Sequence, residues 1–354
     1  MLDKITAALD RQDHRAAAHL LREQLKHTPD DPWVKLCLGR LQEISGKTKA
    51  AEGIYRQLLR DSRNAKLTAQ ARQGLQRLEL AAKHQREQAI AQATAAPTNQ
   101  APGFLILEAI ANAQRLDLSK RFAQVMQTDA YTARSILPGK GWRLYRTGPV
   151  GELGFYSAEL KKAGIPTFWA ALSDLKQIAV FQVNYFQTIA PKVAVMCRDR
   201  HKQQGVLTFD WSEVSQRVIG YLPLFSPVVD LGYRDRLEWK EQIEDYTHVC
   251  DLHLPQRRCI LRIHDSTYDF HQGMTAVSQL GTIRTRWNEL MANLAAQMPQ
   301  APTWSEFTNF AETTTDFQAP MSRLPAHMPI PRASDCYYDN AFHLYSSLAF
   351  LRGR

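Results

Sequence analysis

No GxxxxGK(S/T) phosphate loop, no HExxH metal helix and no GxSxG nucleophile turn occurs in these 354 residues. The glycines of GPVGELG, Gly148, Gly151 and Gly154, stand three apart and do not make a dinucleotide-binding GxGxxG. Neighbours such as Glu244 and Asp245, or Ser212 and Glu213, lack a spacing that implies general acid–base work. Cysteine and histidine are present, but no third partner can be assigned to them. No catalytic residue, cofactor or metal is therefore assigned, and a non-enzymatic role is expected. Cysteine itself is scarce. Cys37, Cys197, Cys250, Cys259 and Cys336 are an odd set with no CxxC pair. They read as free thiols in a reducing compartment, so a cytoplasmic protein is expected. No run of 18 apolar residues occurs, which excludes an apolar membrane-spanning helix. The opening MLDKITAALDRQDH is an amphipathic helix carrying acidic residues, unlike a secretory leader.

What the chain does contain is enough for two or three ordinary domains. Apolar residues make up 44% and charged residues 22%, a globular balance. The net charge of +9 is uneven. Residues 1–100 hold 17 Lys and Arg against 11 Asp and Glu, an excess of six, while the remaining 254 hold 27 against 24. A basic face of this kind attracts acidic proteins, nucleic acid or anionic membranes, although such a charge is more often only a solvated surface.

Residues 11–30, RQDHRAAAHLLREQLKHTPD, align with residues 45–64, SGKTKAAEGIYRQLLRDSRN, at a constant offset of 34. Ala16 meets Ala50, Ala17 meets Ala51, Leu20 meets Ile54, Leu21 meets Tyr55, Arg22 meets Arg56 and Leu25 meets Leu59; Lys26 matches Arg60 in charge. A small Ala lets two helices approach, and the Leu or Tyr four residues on fills the gap above it. Leu38-Gly39 stands 12 residues before Ala51, and Pro29 closes the first copy. Together these features resemble the tetratricopeptide (TPR) family, whose period is 34. The departures are Arg63 in place of the second closing Pro, and Trp33, two places early. The segment after Lys66 reads as a lone capping helix. In that family the first helix of each repeat lines the concave, partner-binding side. The resemblance therefore implies a protein-binding face holding Trp33, Arg40 and Glu43, with Arg77 a weaker candidate on the capping helix. Trp and Arg are favoured anchors, though Trp33 packing on a neighbouring helix explains it equally well. Little more than two repeats are marginal alone.

The expected organisation is α+β. A TPR-like helical domain spans 1–83, a flexible Ala/Gln/Thr/Pro linker 84–102, and an α+β domain 103–354 with a β-rich core at 142–271 and a helical part at 284–354. Helices are expected at 118–127, 129–136, 151–163, 284–298 and 304–317, with an extended connector through Pro320, Pro325, Pro329 and Pro331. The clearest local prediction is a hairpin turning at 255–258 that pairs Leu254 with Cys259, Leu252 with Leu261 and Cys250 with Ile263. One face is then wholly apolar, and Asp251 opposes Arg262 on the other. His248, Cys250, Asp251, His253, Cys259, His264, Asp265, Asp269 and His271 suggest zinc by residue type. The register argues otherwise. Cys250 and Cys259 lie about four strand positions, roughly 13 Å, apart, and His253 and His264 point to the opposite face. The final YYDNAFHLYSSLAFLRGR places Phe342, Tyr345, Leu348 and Leu351 on one stripe. Packing onto the β region is favoured over a membrane-surface helix, whose polar face would be Lys-rich.

Across its length the chain is similar to uncharacterised TPR-containing proteins of cyanobacteria. That similarity implies an accessory factor for a large assembly such as the photosynthetic apparatus. The leading expectation is a protein-binding adaptor. The alternatives are a nucleic-acid binder using the basic arm, disfavoured because aromatics are not interleaved with the cations, and an enzyme with an unrecognised site in the α+β domain.

Overall fold

The computed structural model describes residues 1–231, 237–273, 281–328, 330 and 336–353. It divides into two compact units, Met1–Gln92 and Ala93–Arg354, within an α+β fold of N-terminal helices, mixed sheets and C-terminal helices.

The first unit is built from α1 (Leu2–Asp10), α2 (His14–His27), α3 (Pro32–Ile44), α4 (Thr48–Asp61) and most of α5 (Ala65–Thr94). Asp13 and Asp31 cap α2 and α3 by accepting from the Ala16 and Trp33 amides at 3.0 and 2.8 Å, and Pro32 starts α3 where its missing N–H costs nothing. The helices keep the repeat. α2 and α4 begin and end 34 residues apart, and the turns before them place Gln12 and Gly46, also 34 apart, at φ 60° and 73°. Two small cores result. Ile5, Leu9, Ala17, Leu21, Val34 and Cys37 form one; Leu36, Ala51, Tyr55, Leu58, Leu67 and Ala71 form the other.

The segment 84–102, expected as a helix tail running into a flexible linker, carries secondary structure over most of its length. α5 runs to Thr94, a 3-10 turn covers Pro97–Gln100, and the first strand starts at Pro102. Alanine and glutamine are good helix formers even without an apolar face, so the helix continues past Ile90.

In the second unit, chain order is β1 (Pro102–Glu108), α6 (Arg115–Met126), α7 (Ala130–Ile136), β2 (Trp142–Pro149), α8 (Val150–Lys162), β3 (Thr167–Ala171), α9 (Leu172–Lys176), β4 (Ala179–Thr188), β5 (Val193–Arg198), β6 (Gln204–Phe209), β7 (Gln216–Leu231), β8 (Leu237–Leu254), β9 (Cys259–His264), α10 (Ile283–Gln297), β10 (Thr303–Trp304), α11 (Phe307–Glu312), α12 (Gln318–Met321) and α13 (Tyr337–Arg352). A three-stranded antiparallel sheet runs β2-β1-β3. A second sheet runs β10-β7-β8-β9-β4-β5-β6, antiparallel except where β4 meets β9 and β10 meets β7. The expected helix at 304–317 is instead strand β10, the short α11 and a 3-10 turn at Thr315–Phe317. The run Thr313–Thr314–Thr315 interrupts it, because β-branched residues lose rotamer freedom in a helix. Pro320 lies within α12 rather than in an extended connector; Pro329 and Pro331 lie outside the described residues.

The β8–β9 hairpin has the expected register: Cys250↔Ile263, Asp251↔Arg262, Leu252↔Leu261 and Leu254↔Cys259. The turn closes through Arg258 at φ 52°. Its apolar face packs with Trp287, Leu290 and Leu294 of α10. The opposite face is not solvated. All six residues of β9 are buried, because α13 covers that side.

Helix α13 is buried continuously from Ala341 to Phe350. Phe342, Tyr345 and Leu348 join one core with Phe104, Ile106 and Trp142 of the small sheet and Val218, Leu222 and Val249 of the large one. With both of its sides covered, this helix is not available to lie on a membrane surface, so peripheral membrane binding through it is ruled out. No helix among the described residues is long and apolar enough to cross a membrane.

Candidate functional site

Among the four expected binding residues, the structure brings two together. Arg77 grips Glu43 with two parallel hydrogen bonds, Nε to Oε1 at 2.8 Å and Nη2 to Oε2 at 2.9 Å. The Tyr55 hydroxyl donates to the same carboxylate at 2.6 Å. Burial acts to raise the Glu43 carboxyl, but its hydrogen bonds from Arg77 and Tyr55 prevail and hold it below the usual carboxylate range. Glu43 and Arg77 thus tie α3 to α5 inside the unit. Arg40 pairs separately with Asp10 at 3.1 Å. Trp33 is half-buried against the Tyr55 core. The face drawn from the repeat pattern is therefore largely occupied with internal bonds.

A different surface repeats. Arg15, Arg22 and Lys26 of α2 recur 34 residues later as Lys49, Arg56 and Arg60 of α4, and all six are exposed. At spacings of 7 and 11 residues they share one helix face. Glu23, Glu52 and Asp61 pair with Lys26, Arg56 and Arg60. Arg15, Arg22 and Lys49 stand outside these pairs.

The second unit holds a buried polar network on the inner face of the β8–β9 hairpin. Arg262 and Asp251, both 0% exposed, form a bidentate pair at 2.9 and 2.7 Å. The Ser346 hydroxyl gives its proton to Asp251 Oδ2 at 2.5 Å and so receives one from His253 Nε2 at 3.0 Å. His253 Nδ1 then accepts from Gln216 Nε2 at 2.9 Å; that amide also donates to the Ala349 carbonyl, and Gln216 Oε1 accepts from Trp304 Nε1. Every role is consistent with a neutral imidazole. Burial pushes His253 down to about 4 against the pull of Asp251. Serine, histidine and aspartate are the residue types of a hydrolytic triad. Here the serine proton goes to the carboxylate and the imidazole donates to the serine, all out of contact with solvent, so the set works as a strut.

Beside this network lies a cleft of about 560 Å³, lined by Lys176, Arg200, His201, Leu324, His327 and His343 among others. Lys176 ends α9, Arg200 and His201 sit in the β5–β6 turn, His327 precedes α13 and His343 lies on it. Burial, then Arg262, lowers the imidazoles of both His327 and His343, the latter well below its ordinary value. Arg262 Nη2, which can only donate, approaches His343 Nδ1 at 3.5 Å, and Ser347 Oγ lies 3.4 Å from the same atom. A proton on Nδ1 would face the guanidinium, so the ring proton belongs on Nε2.

The nine residues that suggested zinc are split by the hairpin. Cys250 and Cys259 face the α10 core, and His253 and His264 face the other side. Comparison with family models, curated proteins and solved structures finds no match. Neither the basic rows nor the cleft was singled out from the sequence. The rows could have been, because the 34-residue alignment pairs their charges; the cleft had no local signal, since its residues come from four separate segments.

Proposed function

We propose that the chain is a protein-binding adaptor whose TPR-like helical arm, Met1–Gln92, takes an acidic segment of a partner protein. The observation that carries this reading is the recurrence of Arg15, Arg22 and Lys26 as Lys49, Arg56 and Arg60, two exposed basic rows at one repeat's spacing. Charge on a helix has no structural reason to repeat at that period, whereas the core positions do. Two equivalent rows suit an extended acidic peptide laid across both helices. Nucleic acid is the weaker reading, because Glu23, Glu52 and Asp61 already neutralise three of the six cations and lower the field a phosphate backbone needs. Trp33 and the Arg40 side chain provide a rim on the neighbouring helix, and the second unit would hold the arm's cargo to a larger assembly.

The test is a titration of the full chain with a Glu-rich peptide and, separately, with duplex DNA, each at two salt concentrations. The peptide is expected to bind, and Arg15→Glu with Lys49→Glu to weaken it by about tenfold or more. Indifference of peptide binding to that pair would sink the reading. Tighter binding to DNA with a steep salt slope would replace it with the nucleic-acid one.

A further inference from the structure

The cleft in the second unit collects positive charge and proton donors without a counter-anion. Lys176 and Arg200 are both exposed side chains on its wall, carried by different elements. Asp199 lines an adjoining lobe, and its Oδ1 already accepts from the His201 and Gln203 amides at 2.8 Å each. At the inner wall is His343, 1% exposed. Its Nδ1 faces Arg262 and Ser347, which places the ring proton on Nε2 of a residue that lines the cleft.

We propose that this cleft binds the phosphate group of a small organic phosphate. A phosphoryl group brings several acceptor oxygens and close to two negative charges, matching one ammonium, one guanidinium and one imidazole N–H. A carboxylate has two oxygens and one charge, and would leave one cation unmatched. The imidazole donates as a neutral ring, so the site does not depend on histidine protonation. Bare phosphate underfills about 560 Å³, a volume ordinary for small-molecule sites. Leu324 and Pro325 supply apolar wall for the organic part. The site is independent of the helical arm, so either proposal can fail alone.

The experiment is calorimetric titration of the full chain, at fixed ionic strength, with inorganic phosphate, phenyl phosphate and benzoate, and sedimentation with vesicles containing phosphatidic acid. Phenyl phosphate is expected to bind at least about tenfold more tightly than benzoate, and to shift the ring resonances of His343. The doubly substituted Lys176→Gln, Arg200→Gln chain should lose at least about tenfold in affinity with an unchanged melting temperature, since both side chains are exposed. Lys140→Gln, exposed elsewhere, should bind normally. Absence of binding at millimolar phenyl phosphate, equal affinity for benzoate, or binding untouched by the double substitution would overturn the proposal. Binding only to the vesicles would also overturn it, replacing the small ligand with a lipid headgroup.

Discussion

Leu21 and Tyr55 hold the same place in consecutive repeats, yet the larger side chain needs room that the smaller does not. Gly39 and Gly74 provide it. A Cβ at either position would stand 2.7 or 2.5 Å from the Tyr55 ring, closer than carbon atoms approach. The Leu-Gly pair that carried the family resemblance thus has a local cause, because the ring lies between two bare backbones while its hydroxyl reaches Glu43. Position 39 in the second repeat corresponds to Ile5 in the first, where Leu21 leaves space for it. Gly74→Ala is therefore expected to destabilise the arm by about 1–3 kcal/mol through overpacking. Gly53, exposed on α4 with nothing within 4 Å of its would-be Cβ, gives the opposite sign: Gly53→Ala should stabilise by roughly 0.5–1 kcal/mol. Urea unfolding of each variant, followed by helical circular dichroism, measures both. Equal signs would show that the tyrosine is not clamped as described.

At the scale of elements, the β8–β9 hairpin shows what alternation can and cannot tell. Its register was legible because a tight turn at Pro255–Arg258 and six alternating apolar residues admit one pairing. Its other face was not, since Asp251, His253, Arg262 and His264 look like a solvated surface until α13 covers them. The same limit applies to α13, whose stripe Phe342, Tyr345, Leu348 was read from spacing while His343, Ser346 and Ser347 carried no sign of which residues they would meet. His343 and Ser346 are partners of the hairpin's polar row, and Ser347 lies against His343. Burying a charge pair is tolerated only while both members remain. Asp251→Ala should cost about 3–5 kcal/mol by leaving the Arg262 guanidinium unmatched, while Asp251→Leu combined with Arg262→Met should cost much less. A double-mutant cycle by chemical denaturation decides. Costs that simply add would mean that the two side chains do not act as a pair.

For the molecule as a whole, the consequence is sensitivity to acid. Burial pushes His253 and His264 down to about 4, and His343 well below its ordinary value, against 6.5 in an unfolded chain. Between about pH 6.5 and 4 the unfolded chain binds protons that the folded one refuses. Their contribution is complete above 6.5 and declines as the pH falls, on the order of 3 kcal/mol for each imidazole shifted that far. Asp265, whose carboxyl burial raises, works in the opposite sense, one carboxyl against these three imidazoles and those of His248 and His327, which burial also lowers. The urea midpoint of the full chain should fall steadily from pH 7 to 4.5, and His253→Gln should flatten that slope. A midpoint level across this range would contradict the neutral, buried state of the three rings.

The covered position of α13 also has a bearing on biosynthesis. Phe104 and Leu348 share one core, so a ribosome must deliver nearly the whole second unit before that core can close. Until Tyr337–Arg352 emerges, both sheets display bare apolar faces, and the Arg262–Asp251 pair lacks its lid. Such distant contacts impose a large loop-closure entropy and slow folding. The nascent chain exposes those apolar faces through that interval, and docking of a single helix covers both.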